Sequence, residues 1–92
     1  MCTSYLIKAT GEIKSVEPAN KTDFTLEEVQ KFCNDCVEVV FDNGDICMIA
    51  SENAVSLGFK YNSIASYLAT EALQYPQPIL GDVLVCQSRM FK

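Results

Sequence analysis

The chain has 92 residues, 49% of them hydrophobic, with 12 acidic against 7 basic side chains and a formal charge of −5. That is the make-up of one small globular domain spanning 1–92 rather than of a disordered tail. The single arginine, Arg89, and evenly scattered carboxylates argue against a surface that tracks phosphates and against a DNA-mimicking row of acids, so no nucleic-acid partner is expected.

No apolar run approaches the roughly 18 residues that span a bilayer, and the opening MCTSYLIKATGE lacks a basic region followed by an apolar stretch. The expectation is a soluble, cytoplasmic protein without a membrane partner. Five cysteines, at 2, 33, 36, 47 and 86, are an odd number with no export signal, which favours reduced thiols over a disulfide framework. A chain of this size buries only about 60–65% of its unfolded surface. A second copy would add burial, so a homodimer or higher homo-oligomer is expected.

In chain order, Tyr5, Ile7 and Ala9, then Ile13 and Val16, flank Thr10-Gly11 and predict a β-hairpin. After a loop at Pro18, Asn20 and Lys21, the run Phe24-Thr25-Leu26-Glu27-Glu28-Val29 predicts a capped helix. Thr25 and Glu28 form a capping box, and Phe24 packs on Val29 as a hydrophobic staple. Leu26, Val29, Phe32 and Cys33 fall on one face of that helix, which stops near Asn34-Asp35. Cys36 to Phe41 and Asp45 to Ala50 predict a second hairpin joined through Asp42-Asn43-Gly44, with Asn-Gly suited to a type I′ turn. Helical spacing of Ile64, Leu68 and Ala72 from about Asn62 to Leu73 is ended by Pro76 and Pro78. The apolar run from Ile79 to Cys86 predicts a central strand buried on both faces. The expected fold class is α+β, in the order ββαββαβ, with two helices packed on a mostly antiparallel sheet.

Cys33 and Cys36 have the spacing of a metal knuckle or redox pair. The remaining cysteines are isolated in sequence, histidine is absent, and the pair closes a helix instead of opening one, so neither a metal nor a cofactor is expected. Without histidine, Ser, Thr and Cys also lack their usual activating base. No carboxylate pair or glycine-rich phosphate loop stands out. The sequence therefore favours binding over catalysis.

The stretch SLGFKYNS supplies the best binding candidate. A helix beginning at Asn62 or Ser63 offers backbone N–H groups to an anion, and Lys60 adds charge. Phe59 and Tyr61 suit stacking on a planar base, while Asn53 and Asn62 suit a ribose or base edge. The same residues fit a plainer role, with Asn62 as a helix cap, the aromatics in a core or dimer interface, and Lys60 in solvent. Lys8 and Asp82 are further candidates, as a phosphate contact and a ribose acceptor.

Four landmarks carry a resemblance over nearly the whole chain: Ile7-Lys8 with Gly11-Glu12; Phe24 to Glu28 with Gln30; Val37 to Val40; and Ile79 with Gly81 to Cys86. With Glu52-Asn53, Gly58 and Asn62-Ser63-Ile64-Ala65 between them, the sequence resembles a family of small proteins of gut bacteria, their phages and mobile elements, a domain of unknown function. Ala54 stands where that pattern has glycine, Asn34-Asp35 where it has two glycines, and Ser51 where it has asparagine. The resemblance implies a phage-linked setting in the host cytoplasm. Small anti-defence proteins there, such as the anti-Thoeris and anti-CBASS sponges, hold cyclic ADP-ribose derivatives or cyclic oligonucleotides without cleaving them. By that analogy the expected function is sequestration of a nucleotide-derived immune signal. A two-fold dimer would then build the site from Phe59, Lys60, Tyr61 and Asn62 of one chain and Arg89 of the other, with Ser63 a further candidate beside them. The alternative is an interaction module that inhibits or modulates a host protein. Ligand binding predicts Lys60, Tyr61 and Arg89 around a concavity; protein binding predicts a flatter apolar surface with acids at its rim.

Overall fold

The computed structural model describes residues 4–20, 22–34 and 36–90. Cys2, Lys21, Asp35 and residues 91–92 lie outside them. Strands β1 (Tyr5–Ile7), β2 (Ile13–Ser15), β3 (Val37–Asp42), β4 (Ile46–Ser51) and β5 (Val83–Gln87) form one antiparallel sheet in the order β2-β1-β5-β4-β3. Helix α1 (Leu26–Cys33) follows β2, and α2 (Ala54–Leu57) and α3 (Ser63–Leu73) lie between β4 and β5. The class is α+β. The order differs from the expected ββαββαβ by the one-turn helix α2, and a 3-10 turn at Ser88–Met90 follows β5. The α2 turn closes on Gly58, whose φ of 71° is a left-handed conformation that other residues adopt at a cost.

The sheet is covered on both faces, as the alternation along β4 and β5 requires. Cys47, Ile49, Leu84 and Cys86 pack with Val29 and Cys33 of α1. Met48, Ala50 and Val83 pack with Ala65 and Ala69 of α3. Central strands enclosed in this way need apolar side chains at successive positions, which is why both read as near-continuous apolar runs. Each fully buried aliphatic side chain contributes about 1.5–3 kcal/mol.

Helix α1 starts on its capping box: Glu28 N donates to Thr25 Oγ1 at 3.2 Å, and Thr25 N donates to Glu28 Oε1 at 2.9 Å. Phe24 and Val29 share its core cluster. Leu26, expected on the buried face, is 56% exposed. A side chain at the first helical position leans toward the chain N-terminal to it, away from the turns whose side chains meet the sheet. The helix ends at Asn34, which takes a left-handed φ of 62°.

The second hairpin turns one residue later than expected. Asn43 N donates to Ile46 O, and Gly44 has a φ of 95° while Asn43 is not left-handed. Asn43 acts through its side chain, accepting from Asp45 N and Ile46 N at 2.9 Å. A type I′ Asn-Gly pair is thereby excluded, because it needs positive φ at both residues. The β3–β4 register also shifts between Val39 and Phe41. That bulge turns the successive side chains Val40 and Phe41 to the same core, on the α3 side.

Candidate functional site

The segment from Phe59 to Asn62 runs antiparallel to Ile79–Gly81. Tyr61 bridges Leu80, Asn62 N donates to Ile79 O at 2.8 Å, and Gly81 N donates to Lys60 O at 2.7 Å. Asn62 follows at the junction of three elements. Its Nδ2 donates to Ile7 O at 3.0 Å and to Gly81 O at 2.8 Å, and its Oδ1 accepts from Ala65 N at 3.1 Å. One side chain of 1% exposure thus ties the end of β1, the entry to β5 and the start of α3 together. Its polar atoms are engaged by the protein itself. The capping bond also occupies Ala65 N, one of the helix N–H groups expected to meet an anion.

Ser66, one turn further along α3, repeats the device. Its Oγ accepts from Ile79 N at 2.7 Å and donates to Ile79 O at 3.3 Å.

The other predicted residues distribute over three places. Phe59, Lys60 and Asp82 share a depression of about 130 Å³ with Ala9, Asn34 and Gly81. Its Asp82 carboxylate already accepts Ala9 N at 2.9 Å, and the half-buried Phe59 ring lies on Gly81. Lys60 and Ser63 are exposed, and Tyr61 is 56% exposed. Lys8 is half-buried in the first turn, beside Ala9, and does not line the depression. Asn53 is exposed and lines a cleft of about 340 Å³ with Glu38, Glu52 and Gln77, without a lysine or arginine among the lining residues. Arg89 lines an open groove with Gly44, Asp45, Ile46 and Gln87. The five residues of β5 lie between Asp82 and the turn that carries Arg89, a span of about 17 Å at the usual rise per residue. Within one chain, then, Arg89 and Lys60 stand at opposite ends of the sheet.

A pocket that buries a drug-sized ligand occupies about 300–1,000 Å³. The Phe59–Lys60–Asp82 depression is smaller than that, and the Asn53 cleft, though large enough, presents carboxylates.

A feature the sequence reading did not contain is an apolar groove of about 360 Å³ on the α3 side of the sheet. Phe41, Ile46, Met48 and Val85 form its floor, Leu68 and Ala72 its wall, and Asn43 and Glu71 its polar edge. It exists because α3 meets the sheet through the small side chains Ala65 and Ala69, and the far part of the sheet face stays uncovered. Ile46 is left 45% exposed and Leu68 38%. The alternation of Ile46, Met48 and Ala50 was its sequence signal, but where α3 would end on that face was not readable from it.

The shifted titrations belong to groups outside the depression. Glu28 is held below the usual carboxylate range by the Thr25 and then the Ala19 backbone N–H groups, and Asp42 is lowered by the Ser88 hydroxyl and then by Gly44 N–H. Burial pushes the Cys33 thiol up to about 12. Cys33 is buried and Cys36 exposed, so the two open on different surroundings. Among the described residues there is no group of three or more His, Cys, Asp or Glu side chains placed to hold a metal ion, and no helix long and apolar enough to cross a membrane.

No protein-family model, curated protein or solved structure matches the chain.

Proposed function

We propose that the protein is a small interaction module that modulates a partner protein by docking it in the apolar groove between α3 and strands β3, β4 and β5. The observation that carries this reading is the groove itself: six of its eight lining residues, Phe41, Ile46, Met48, Leu68, Ala72 and Val85, are apolar, and Glu71 stands at its edge. An exposed apolar surface with a polar border is the pattern of a protein contact. The separation of Lys60 from Arg89 within one chain supports it from the other side, since an anion pocket needs cations that converge. Its test compares binding partners of the wild-type protein with those of Leu68→Glu and Lys60→Ala, immobilised in a bacterial lysate. A specific partner retained by wild type and Lys60→Ala, and reduced at least tenfold by Leu68→Glu at unchanged melting temperature, is the expected result. Equal retention by Leu68→Glu sinks the reading.

The shared depression of Phe59, Lys60 and Asp82 favours a second reading, in which a homodimer sequesters a nucleotide-derived immune signal without cleaving it, as in anti-defence proteins of phages and mobile elements. Here the partner chain brings Arg89 to the ring and cation of the first. A thermal-shift titration with cyclic di- and trinucleotides, ADP-ribose and its cyclic isomers tests it. Saturable stabilisation with intact ligand recovered on heating, weakened more than tenfold by Lys60→Ala, supports it. Absence of any shift removes it.

A further inference from the structure

Cys47 and Cys86 are direct partners in the β4–β5 register, with Sγ atoms 3.6 Å apart. They are 1% and 0% exposed, inside the core formed by Phe24, Val29, Cys33, Ile49, Leu84 and Met90. Each thiol has the other sulfur as a polar partner. Cys33 shares that core, but its thiol donates to Ile49 O at 3.6 Å.

The position of the rung matters as much as its distance. Beyond it lie the Ile46–Gln87 pair and one further backbone bond, Ser88 N to Asp45 O at 2.9 Å, at a ladder end where Ile46 and Asp45 are exposed. Opening of that pair and of the Ser88–Asp45 bond would admit a small solute, and ladder ends are where local opening costs least. Directly opposed residues on antiparallel strands have Cβ atoms about 4.5–5.5 Å apart, and a disulfide needs about 3.5–4.5 Å. A contraction on the order of 1 Å therefore closes the bond without changing the register.

We propose that Cys47 and Cys86 form a covalent modification site, at which a small peroxide converts the two thiols into a cross-strand disulfide. In the first step the Cys47 thiolate attacks one peroxide oxygen, forming Cys47 sulfenic acid and releasing hydroxide, which takes up the thiol proton as water. In the second, the Cys86 sulfur attacks the Cys47 sulfur, the S–S bond forms, and the sulfenic oxygen leaves with the Cys86 proton as a second water. With hydrogen peroxide the sum is two thiols and one peroxide to one disulfide and two waters. The assignment of roles follows the local chemistry: in the 3.6 Å thiol–thiol contact either sulfur can donate, and that contact lowers the Cys47 thiol pKa while the same contact together with burial raises that of Cys86. Cys33 stays out of the exchange because its thiol is directed to Ile49 O and it is not the register partner of either cysteine.

The test uses the full chain in its folded state. Accessible thiols, the exposed Cys36 among them, are first capped with iodoacetamide, and the protein is then treated with hydrogen peroxide, denatured, and labelled with isotopically heavy iodoacetamide. Tandem mass spectrometry of the digest is expected to show Cys47 and Cys86 peptides joined, two hydrogens lighter than their sum. Heavy label should remain on Cys33. In Cys47→Ser the joined species should disappear and Cys86 should carry heavy label. Heavy label on both Cys47 and Cys86 of the peroxide-treated wild type overturns the proposal, as does their separate conversion to sulfinic or sulfonic acids.

Discussion

Phe59 lies so closely over Gly81 that a Cβ added at position 81 would stand 2.8 Å from the Phe59 Cδ2 atom. Gly81 also has a φ of 84°, which a side chain adopts only under strain. Gly81→Ala is therefore expected to destabilise the protein by about 2–4 kcal/mol, from the strained backbone and the displaced ring together. Urea denaturation checks it, and Phe59→Ala in the same background should recover the steric part only.

Asn62 satisfies two carbonyl oxygens and one N–H in a buried corner. Removing those bonds with Asn62→Ala should cost about 3 kcal/mol or more. Asn62→Asp is the sharper comparison. It keeps the cap acceptor but, when ionised, turns negative charge towards Ile7 O and Gly81 O. Its stability should be lowest at neutral pH and partly recover on acidification, as measured by denaturation at pH 7 and pH 5.

Glu28 gives a pH dependence with the opposite sign. Its folded-state pKa lies below the unfolded value because it accepts the Thr25 and Ala19 N–H groups. A depressed carboxylate stabilises the fold above its unfolded pKa, about 4.3, and that contribution fades as pH falls through the folded value. Glu28→Gln should flatten the loss of stability below about pH 4.5, in a titration followed by circular dichroism. Thr25→Ala should cost about 1 kcal/mol at neutral pH.

The rotational setting of α1 can be tested with a pair of changes. Val29 is fully buried and Leu26 is 56% exposed. Val29→Ala is expected to cost about 2 kcal/mol and Leu26→Ala less than about 1 kcal/mol. Comparable losses in thermal melts would place Leu26 in the core after all.

Most of the scaffold was legible because it is encoded locally. Thr25 and Glu28 reveal a capping box at three-residue spacing, Pro76 and Pro78 end α3, and the apolar run of β5 announces burial on both faces. What escaped depends on contacts far apart in sequence. Asn62 reads as a ligand group or as a cap until Ile7 and Gly81, 55 and 19 residues away, are brought to it. The groove depends on how much of Phe41, Ile46 and Val85 the alanine face of α3 leaves bare, and the Cys47–Cys86 pair depends on register. The Asn43-Gly44 turn moved by one residue because the Asn43 side chain replaced the backbone bond that a type I′ turn would use.

The strand order also sets a sequence of events. The two hairpins, β1–β2 and β3–β4, share no rung; β5 alone lies between them and pairs with both. Each hairpin can close on its own in about 1–10 μs, but neither has a partner sheet until β5 arrives. Assembly thus waits on a strand that must find two neighbours at once, both far from it in sequence. In kinetic terms β5 is the keystone of an arch: its side chains govern how fast the halves unite, whereas the turns govern only how fast each half forms.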